Sequence, residues 1–386
     1  MHSTLIRRAG VFCGTSTKLM KMLILSETNV KQVLHQPNTL QAALDVTQQA
    51  LISLCTGTGV VPSRLGLSYP DNPNRKRVEG GVDHVVTQDW SLIKPAAYYP
   101  EENDRNENHH HDEYHDKSIS MGLKVINLRS NNPSQGLPLA PATIILWNAE
   151  TGLTEAIVAG HYLTVVRTSA GPANAVRTWA PNCQHVVLFG AGYQAACHLK
   201  LFQVALDGRP IPQVTIVNRS RDSAETLQAT LPPETNCNIV LLEDQEAVHD
   251  ALSTADVVAA ATCATEPLFQ EGSVLKKGCL ITSIGSFTPE MIEIPSSAVD
   301  RCHIVIDTPE AMSVGDLRHL GTDYKTAKQP ITLAGEAFQN PSVVRGETMD
   351  CIFYKAVGTA IQDVLTAEMV VKGAKELQIG QQIDMT

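Results

Sequence analysis

The spacing of apolar residues divides the chain into two parts with different patterns. In the first part, residues 40–57 carry apolar side chains near helical spacing, which predicts a helix. Residues 142–147 and 153–159 are strand-like, and the Asn148-Ala-Glu-Thr-Gly152 link between them has hairpin turn chemistry. Strands joined so tightly run antiparallel, so this part is predicted to be an α+β domain.

The second part alternates short apolar strands with segments of helix length. Residues 185–189 form a continuously apolar run typical of a buried parallel strand, and apolar residues at helical spacing follow over 195–206. Further strand-like runs occur at 214–217, 256–260, 279–284 and 304–306. This alternation predicts an α/β fold with a doubly wound parallel sheet of the Rossmann type.

The N-terminal residues allow two interpretations. Met22-Leu-Ile-Leu-Ser-Glu27 predicts a first strand that runs into a capped helix. Residues 1–21 before it contain four cations and no acid, so they are either a mitochondrial transit peptide or an extension from an upstream start codon.

Residues 70–118 are the least regular stretch of the sequence. Within them, residues 101–116 are almost wholly polar, which predicts a solvated loop. This loop contains four histidines, namely His109, His110, His111 and His115. Histidines without packed supporting groups form only weak, nonspecific metal sites, so we expect no functional metal.

Composition limits the classes of partner and compartment. The 386 residues are enough for two domains, and a formal net charge of −10 argues against a general nucleic-acid binder, which needs a basic face. No apolar run approaches the roughly 18 residues of a membrane span. Nine scattered cysteines without a CxxC motif are typical of reduced thiols in a cytoplasmic protein.

A glycine-rich turn follows the strand at 185–189. In Gly190-Ala-Gly-Tyr-Gln-Ala195, Gly190 permits the tight turn and Gly192 lets backbone N–H groups approach a pyrophosphate at the helix N-terminus. Ala195 allows the helix to pack closely on the strand. The turn therefore predicts a dinucleotide site, with contacts from Gly190, Ala191, Gly192, Tyr193 and Gln194.

The end of the next strand selects the cofactor. An acid at this place binds the adenosine ribose hydroxyls and repels a 2′-phosphate, but this chain has Asn218-Arg219-Ser220. Arg219 and Ser220 can both hydrogen-bond a phosphate, so we predict NADPH rather than NADH.

Three cations stand outside the nucleotide-binding part, in surroundings that look like helices or strands. Lys124 lies in an apolar strand-like run, Arg167 lies in a run that is predicted to be helical and buried, and Arg64 ends an extended piece. A buried cation needs a partner, and an internal salt bridge is the ordinary explanation for any one of them. Three cations that converge on a cleft form instead a clamp for a substrate carboxylate.

Several ordered motifs resemble the ornithine cyclodeaminase/mu-crystallin family. They are Gly122-Leu-Lys-Val-Ile126, Leu163-Thr-Val-Val-Arg-Thr168, Gly190-Ala-Gly-Tyr-Gln194, Ile284-Gly-Ser-Phe-Thr-Pro289 and Val357-Gly-Thr-Ala-Ile-Gln-Asp363. The family includes ornithine cyclodeaminases, an archaeal type of alanine dehydrogenase, cyclic ketimine reductases and mu-crystallins. The resemblance implies a homodimer and a nicotinamide cofactor.

The resemblance also implies a division of the chain. After an N-terminal extension at residues 1–21, residues 22–169 form a substrate-binding and dimerisation domain, which residues 359–386 complete. Residues 170–358 form the Rossmann domain.

Site residues are carried over from the family position by position. Arg64, Lys124 and Arg167 fall on the substrate-carboxylate positions, and a catalytic acid–base role is considered for Lys124 alone. The implied cofactor contacts outside the glycine-rich turn and the Asn218-Arg219-Ser220 segment are Thr262, Ile284 and Val357.

The chain departs from the family at three positions. Cyclodeaminases carry an aspartate for acid–base work where this chain has Phe287, so we place Phe287 in the substrate pocket and disfavour deamination of ornithine. Ala356 stands where the family often has serine. Pro172 interrupts a helix that is usually alanine-rich, so we expect a kink or an end there.

Together these features predict an NADPH-dependent reductase that transfers a hydride to the C=N bond of a small carboxylated, cyclic imine. The enzymatic alternatives are an ornithine cyclodeaminase and an amino-acid dehydrogenase. An alternative of another class is a non-catalytic, NADPH-dependent binder of small ligands, like the crystallin relatives. We expect a cytoplasmic homodimer that binds neither nucleic acid nor membrane.

Overall fold

The computed structural model describes residues 21–68, 89–100, 119–344 and 349–385. The polar loop with its four histidines, and the N-terminal extension up to residue 20, lie outside these described residues. Within them the chain forms two β-sheets with helices packed against both, and the predicted α/β fold class is confirmed.

The elements that precede the nucleotide-binding part contribute mainly to the first sheet. In chain order they are β1 (Lys21–Leu25), α1 (Glu27–Leu34), α2 (Thr39–Thr56), β2 (Gly59–Val60), β3 (Leu65–Ser68), β4 (Trp90–Tyr98), β5 (Ser120–Leu128), β6 (Ala142–Asn148), β7 (Thr154–Ala159) and α3 (His161–Trp179).

The following elements build the second sheet and then return to the first. They are β8 (His185–Phe189), α4 (Tyr193–Ala205), β9 (Gln213–Asn218), α5 (Arg221–Gln228), β10 (Asn236–Leu241), α6 (Gln245–Thr254), β11 (Val257–Ala260), β12 (Leu280–Ser283), α7 (Ser296–Val299), β13 (Cys302–Ile306), β14 (Ile331–Leu333), α8 (Ala334–Gln339), β15 (Cys351–Lys355), α9 (Ala360–Glu376) and β16 (Gln381–Asp384).

The first sheet is mixed and has the order β16-β1-β7-β6-β5-β4-β2. Strand β3 also pairs with β4, along a different part of that strand from β2. The paired strands of this sheet are antiparallel except β1 with β7, and the predicted β6–β7 hairpin is confirmed. The predicted first strand and capped helix are also confirmed, because the Asn29 backbone N–H donates to the Ser26 hydroxyl at the start of α1.

The second sheet is parallel throughout, in the order β10-β9-β8-β11-β12-β15-β13-β14. Strands β8, β11, β12 and β13 are buried along their whole length, as the continuous apolar runs predict. Because the strands are parallel, the loops that leave their carboxyl ends meet along one edge of the sheet. Open α/β sheets bind their ligands at this edge.

The predicted irregularity of residues 70–118 is wrong for β4, which pairs along its length with β5. The strand contains Pro95, which has no N–H to donate and therefore obscures the strand pattern. On the other side of β4, β3 pairs with residues 90–93 and β2 pairs with residues 97–98. Pro95 lies in the gap between these two short strands, where the sheet needs no donor.

Of the two expectations at Pro172, a kink or an end of the helix, the end is wrong, since α3 continues past it to Trp179. Pro172 and its neighbours Ala170 and Ala173 are buried, so packing on both sides holds the helix together despite one lost backbone hydrogen bond. Helix α3 also spans the domain boundary that the sequence places between residues 169 and 170.

Helix α9 crosses from the second sheet back to the first. It packs against β4 and β5 as well as α2, and most of its residues are buried, including the charged Asp363. Among the described residues, no helix combines the length and the apolar character that a membrane crossing needs.

Candidate active site

The turn between β8 and α4 has the backbone geometry that a pyrophosphate site needs. Gly190 has φ +104°, and a Cβ there would lie 2.8 Å from the Ala261 carbonyl oxygen. Gly192 begins α4 in an extended conformation, and a Cβ there would meet no atom within 4 Å. The start of this 13-residue helix is thus unobstructed at Gly192, where an anion bound to a helix N-terminus would approach.

The side chains of this turn divide between solvent and core. Tyr193 is 81% exposed, whereas Ala195 is fully buried against the strand. Gln194 accepts a hydrogen bond from the Ser169 hydroxyl on α3, at 3.1 Å. The turn, its open face and its buried Ala195 fit a dinucleotide.

The segment after β9 brings exposed polar groups to the same edge of the sheet. Arg219 and Ser220 are both exposed, and the Asn218 side chain donates to the Ser220 carbonyl oxygen at 2.8 Å. The Ser220 hydroxyl caps α5 by accepting from the Ser223 N–H. No acid stands at residues 218–220, so no carboxylate in this segment would repel a 2′-phosphate.

A buried acid, Glu293, joins the loops after β11 and β12. Its Oε1 accepts from the backbone N–H and the hydroxyl of Thr262, at 2.6 and 2.7 Å. Its Oε2 accepts from the Gly285 N–H at 2.8 Å. Thr262 and Ile284, two predicted cofactor contacts, are therefore held in neighbouring loops by one side chain that the sequence did not reveal.

Val357, the remaining predicted cofactor contact, begins a second anchored loop. Oδ2 of Asp307, just after β13, accepts from the backbone N–H groups of Val357 and Gly358 at 3.0 and 2.6 Å. Gly358 has φ +77°, and a Cβ there would lie 2.5 Å from Nη1 of Arg167. Only glycine therefore lets this loop lie against the Arg167 guanidinium.

Asp363 on α9 is the centre of a buried charge cluster. Lys124 Nζ on β5 and Arg167 Nε on α3 both donate to its Oδ1, each at 2.6 Å. Lys94 Nζ on β4 lies 3.8 Å from Oδ2. An internal carboxylate thus brings together two of the three cations in the predicted clamp, Lys124 and Arg167. For these two residues the structure shows the internal salt bridge that was the alternative to the clamp.

Lys94 and Lys124 are directly opposite each other on paired antiparallel strands. Their side chains are on the same face, where like charges repel unless a counter-charge lies between them. Asp363 supplies that charge. Burial alone raises the pKa of Asp363, but Arg167, Lys124 and Lys94 together outweigh burial and lower the pKa to about 2. The carboxylate is therefore ionised at neutral pH.

The two lysines differ in their access to ligand. Lys124 is fully enclosed, and it also donates to the Thr164 hydroxyl at 3.3 Å. Lys94 is 6% exposed and lines a cavity of about 300 Å³. Burial lowers the pKa of Lys94 to about 8, because the opposing attraction of Asp363 is further offset by Arg167 and Arg64.

This cavity lies between the first sheet and the carboxyl ends of β13 and β15. Arg64 and Lys94 line one side, and Asp307 and Gly358 line the other. Arg64, the third cation of the predicted clamp, is exposed in the connection that spans the gap between β2 and β3. The cavity thus combines cations from the first sheet with anchored loops of the second.

Phe287 lies beside β4, but it is not one of the residues that line this cavity. Its ring packs edge-on against Trp90 at the start of β4, with centroids 6.5 Å apart. Both rings are half-buried.

The sequence pattern around Lys94 and Asp363 could have identified both as site residues, although neither was predicted. Each is a single charge in an otherwise apolar run, which is the same pattern that singled out Lys124. Asp307 ends an apolar strand and Glu293 follows a loop, so neither differs locally from an ordinary surface acid.

Comparison with known proteins agrees with this architecture. Residues 112–378 match the family described as ornithine cyclodeaminase/mu-crystallin. An uncharacterized cyclodeaminase of Dictyostelium discoideum is 27% identical and covers 94% of this chain and 100% of its own. A Delta(1)-pyrroline-2-carboxylate reductase of Bacillus cereus is 27% identical over 69% of this chain and 81% of its own.

The fold is also that of a solved reductase. The Delta(1)-pyrroline-2-carboxylate reductase of Thermococcus litoralis, solved in complex with NADH and L-proline, superposes with a TM-score of 0.73 at 22% identity. The match covers 94% of this chain and all of that one, and at this identity it bears on the fold alone. On the extent of the family match and the motifs that carry it, the chain belongs to the ornithine cyclodeaminase/mu-crystallin family.

Proposed function

We propose that this protein is an NADPH-dependent reductase of small carboxylated imines, with cyclic imines as the preferred substrates. The observation that carries the proposal is the cavity itself. It places Arg64 and Lys94 beside loops at the carboxyl edge of a parallel dinucleotide-binding sheet. A small anion held there lies next to the edge where such sheets bind their cofactor.

The chain's own residues supply binding and orientation. When bound, the reduced nicotinamide supplies the hydride for the C=N carbon. Arg64 and Lys94 attract the substrate carboxylate, and fixing that group orients the C=N carbon. Because Asp307 anchors both Val357 and Gly358, the wall of the cavity that faces the cofactor edge is rigid.

Arg167 and Lys124 support the site from behind. Arg167 uses Nε on Asp363 and lays its Nη1 against Gly358, so its terminal nitrogens remain directed toward the anchored loop. We propose that Arg167 contacts the substrate carboxylate through these terminal nitrogens. Lys124 is enclosed, so we assign it to holding Asp363 rather than to contact with the imine.

The reductases among the relatives support the reaction class. The Bacillus cereus relative is named for reduction of pyrroline-2-carboxylate, and two further relatives from Mus musculus and Rattus norvegicus are named ketimine reductases. Phe287 adds an apolar ring where cyclodeaminases have an acid, which favours a preformed imine over deamination of an amino acid.

A homodimer is part of the proposal. Val60, Leu65 and Leu67 are exposed hydrophobic side chains on β2 and β3, at 46%, 56% and 52%. Clusters of exposed apolar residues on monomers commonly mark contact surfaces. Light scattering coupled to size exclusion should give twice the monomer mass of 41.8 kDa.

The deciding experiment is a turnover screen with five- and six-membered cyclic imine carboxylates, linear imino acids and L-ornithine, each with NADPH and NADH. We expect oxidation of NADPH with a cyclic imine and formation of the matching cyclic amino acid. Ammonia release from L-ornithine would identify a cyclodeaminase instead. Saturable NADPH binding without turnover on any substrate would identify a non-catalytic binder.

A further inference from the structure

Lys94 is the one lysine of the buried charge cluster that reaches the cavity. It lies on β4 opposite Lys124, and α9 covers both side chains. Arg167 and Lys124 occupy Oδ1 of Asp363, while Lys94 lies 3.8 Å from Oδ2. Among the described residues, Oδ2 has no hydrogen-bond partner.

The hydrogen bonding of Lys94 leaves donor capacity for a ligand. Its Nζ donates to the Gly358 carbonyl oxygen at 3.1 Å, and an ammonium group has three N–H donors. The Gly358 carbonyl uses one of these donors, and Asp363 Oδ2, at 3.8 Å from Nζ, is too far for a normal hydrogen bond. At least one N–H of Lys94 is therefore available on the cavity side.

Charges face Lys94 from every element around it. Asp363 on α9 and Asp307 after β13 favour the ammonium form. Arg167 on α3 and Arg64 in the connection after β2 oppose it. Lys124 on β5 adds a further cation directly across the strands. Because charges of both signs surround Lys94, its protonation responds to a charged ligand in the cavity.

We propose that Lys94 is the catalytic proton donor to the imine nitrogen during reduction, and the proton acceptor in the reverse direction. This proposal rests on the proposed reductase function and names the acid–base residue of that reaction. The position at Phe287, where the family's cyclodeaminases have their acid, offers no titratable group.

The proton and electron balance is simple. The Lys94 ammonium gives one proton to the neutral imine nitrogen, which becomes an iminium while Lys94 becomes a neutral amine. The iminium carbon then accepts the hydride, with its electron pair, from the reduced nicotinamide cofactor of the proposed function. A secondary amine results, and Lys94 regains a proton from solvent that enters the cavity.

The pKa of Lys94 suits this exchange. Burial lowers it to about 8, so both forms of the side chain are populated near neutral pH. In reduction Lys94 must start protonated, so kcat/KM stays constant at lower pH and falls as pH rises through about 8. In oxidation of the amino acid Lys94 must start neutral, so kcat/KM rises through the same pH.

The test compares these profiles in the wild type, Lys94→Met and Lys94→Arg, with Lys325→Met as an exposed-lysine control. We expect kcat/KM for a five-membered cyclic imine carboxylate to be roughly 100-fold lower or more in both Lys94 variants. We also expect that their kcat/KM no longer falls as pH rises through about 8. A guanidinium keeps the charge but holds its proton at these pH values, so Lys94→Arg separates proton donation from carboxylate binding.

A second readout needs no turnover. Acetic anhydride labelling of the wild type across the alkaline range, read by mass spectrometry, should give half-maximal reaction of Lys94 near pH 8, well below the ordinary lysine value of about 10.4.

The outcomes separate the two proposals. If the wild type is active, two results overturn proton donation by Lys94 and leave the reductase function standing. One is that Lys94→Met keeps the fall in kcat/KM near pH 8. The other is that Lys94→Arg has the kcat/KM of the wild type. Labelling of Lys94 with an ordinary lysine midpoint also overturns it. A wild type that reduces no imine in the screen overturns the proposed function, and the role of Lys94 falls with it.

Discussion

At the scale of single residues, the Asp363 carboxylate determines whether three buried cations are tolerated. Removing a charge from water costs several kcal/mol unless paired charges and hydrogen bonds replace the solvent. Asp363 accepts from Arg167 and Lys124 through one oxygen and attracts Lys94 through the other. The cluster is therefore stable as a unit and is destabilised by the loss of the Asp363 carboxylate.

We predict that Asp363→Asn lowers the free energy of unfolding by about 3–5 kcal/mol, because it leaves buried cations without a counter-charge. Urea unfolding at neutral pH measures the loss. The double variant Asp363→Leu with Lys124→Met should lose less than Asp363→Asn alone. Equal losses would show that the cations are solvated rather than dependent on Asp363.

The same residue gives a pH dependence. The pKa of Asp363 falls from 3.8 to about 2 on folding, so its contribution is complete above about pH 4 and is lost as pH falls through about 2. The difference corresponds to about 2–3 kcal/mol. Unfolding titrated from pH 5 downward should show this acid-labile component in the wild type, and Asp363→Asn should lack it.

Cofactor choice is a second prediction at this scale. Arg219→Ala should weaken NADPH binding by about tenfold or more, because a charge-assisted hydrogen bond contributes roughly 1.5–3 kcal/mol. NADH, which lacks the 2′-phosphate, should bind the variant and the wild type equally. Calorimetric titration of both cofactors decides, and Arg221→Ala, two residues further on, serves as the matched control.

The sequence revealed the cations of the site better than their partners. Lys124 and Arg167 stand out because a charge in an apolar run is rare, and both are buried as predicted. Which group balances them could not be read locally, since Asp363 is 196 positions from Arg167 in the chain. Only the crossing of α9 onto β4 and β5 brings them together.

At the scale of elements, α3 fits the second sheet through one glycine. A Cβ at Gly171 would lie 2.5 Å from the hydroxyl oxygen of Tyr354 on β15. Within the described part of the chain, that buried hydroxyl has no hydrogen-bond partner. The contact therefore depends on the small residue more than on a bond made by the tyrosine.

We predict that Gly171→Ala destabilises the protein by about 1–3 kcal/mol through overpacking. In a Tyr354→Phe background the same change should cost clearly less, because the atom nearest to the new methyl group is gone. A double-mutant cycle of urea midpoints measures this coupling. Additive effects would mean that α3 shifts as a whole to relieve the contact.

Local pattern predicted most helices and buried strands but misjudged two elements that contain proline. In β4, Pro95 fits because the short strands β2 and β3 leave a gap beside it. In α3, Pro172 fits because packing on both sides outweighs one missing hydrogen bond. Both outcomes depend on neighbours that are distant in sequence, so propensity alone could not give them.

At the scale of the whole molecule, the first sheet is completed by residues that follow the second sheet in the chain. The chain leaves the first sheet after β7, builds the parallel sheet, and returns through α9 to cover β4 and β5. Alternating strands and helices indicated the parallel sheet from the sequence alone. The order of the first sheet, with β1 between β7 and β16, is set by pairing across more than a hundred residues and left no local trace.

This topology predicts the effect of truncation. Deleting residues 359–386 removes α9 with its buried Ile361, Val364 and Val370, so we expect no cooperative unfolding of the first sheet. Deleting residues 378–386 removes only β16 from the sheet edge, and we expect a folded but less stable protein. Circular dichroism with urea unfolding distinguishes the two, and a stable fold in the longer deletion would contradict the role of α9.

The position of Asp363 on α9 also sets the timing of assembly on the ribosome. Lys94, Lys124 and Arg167 are all synthesised before the carboxylate that balances them, ahead of it by about 10–55 s at roughly 5–20 residues per second. A nascent chain cannot bury these cations during that interval without a counter-charge, so they stay hydrated and β4 and β5 stay uncovered. Translation thus delays closure around the charge cluster until residue 363 has emerged, shortly after β15 completes the parallel sheet.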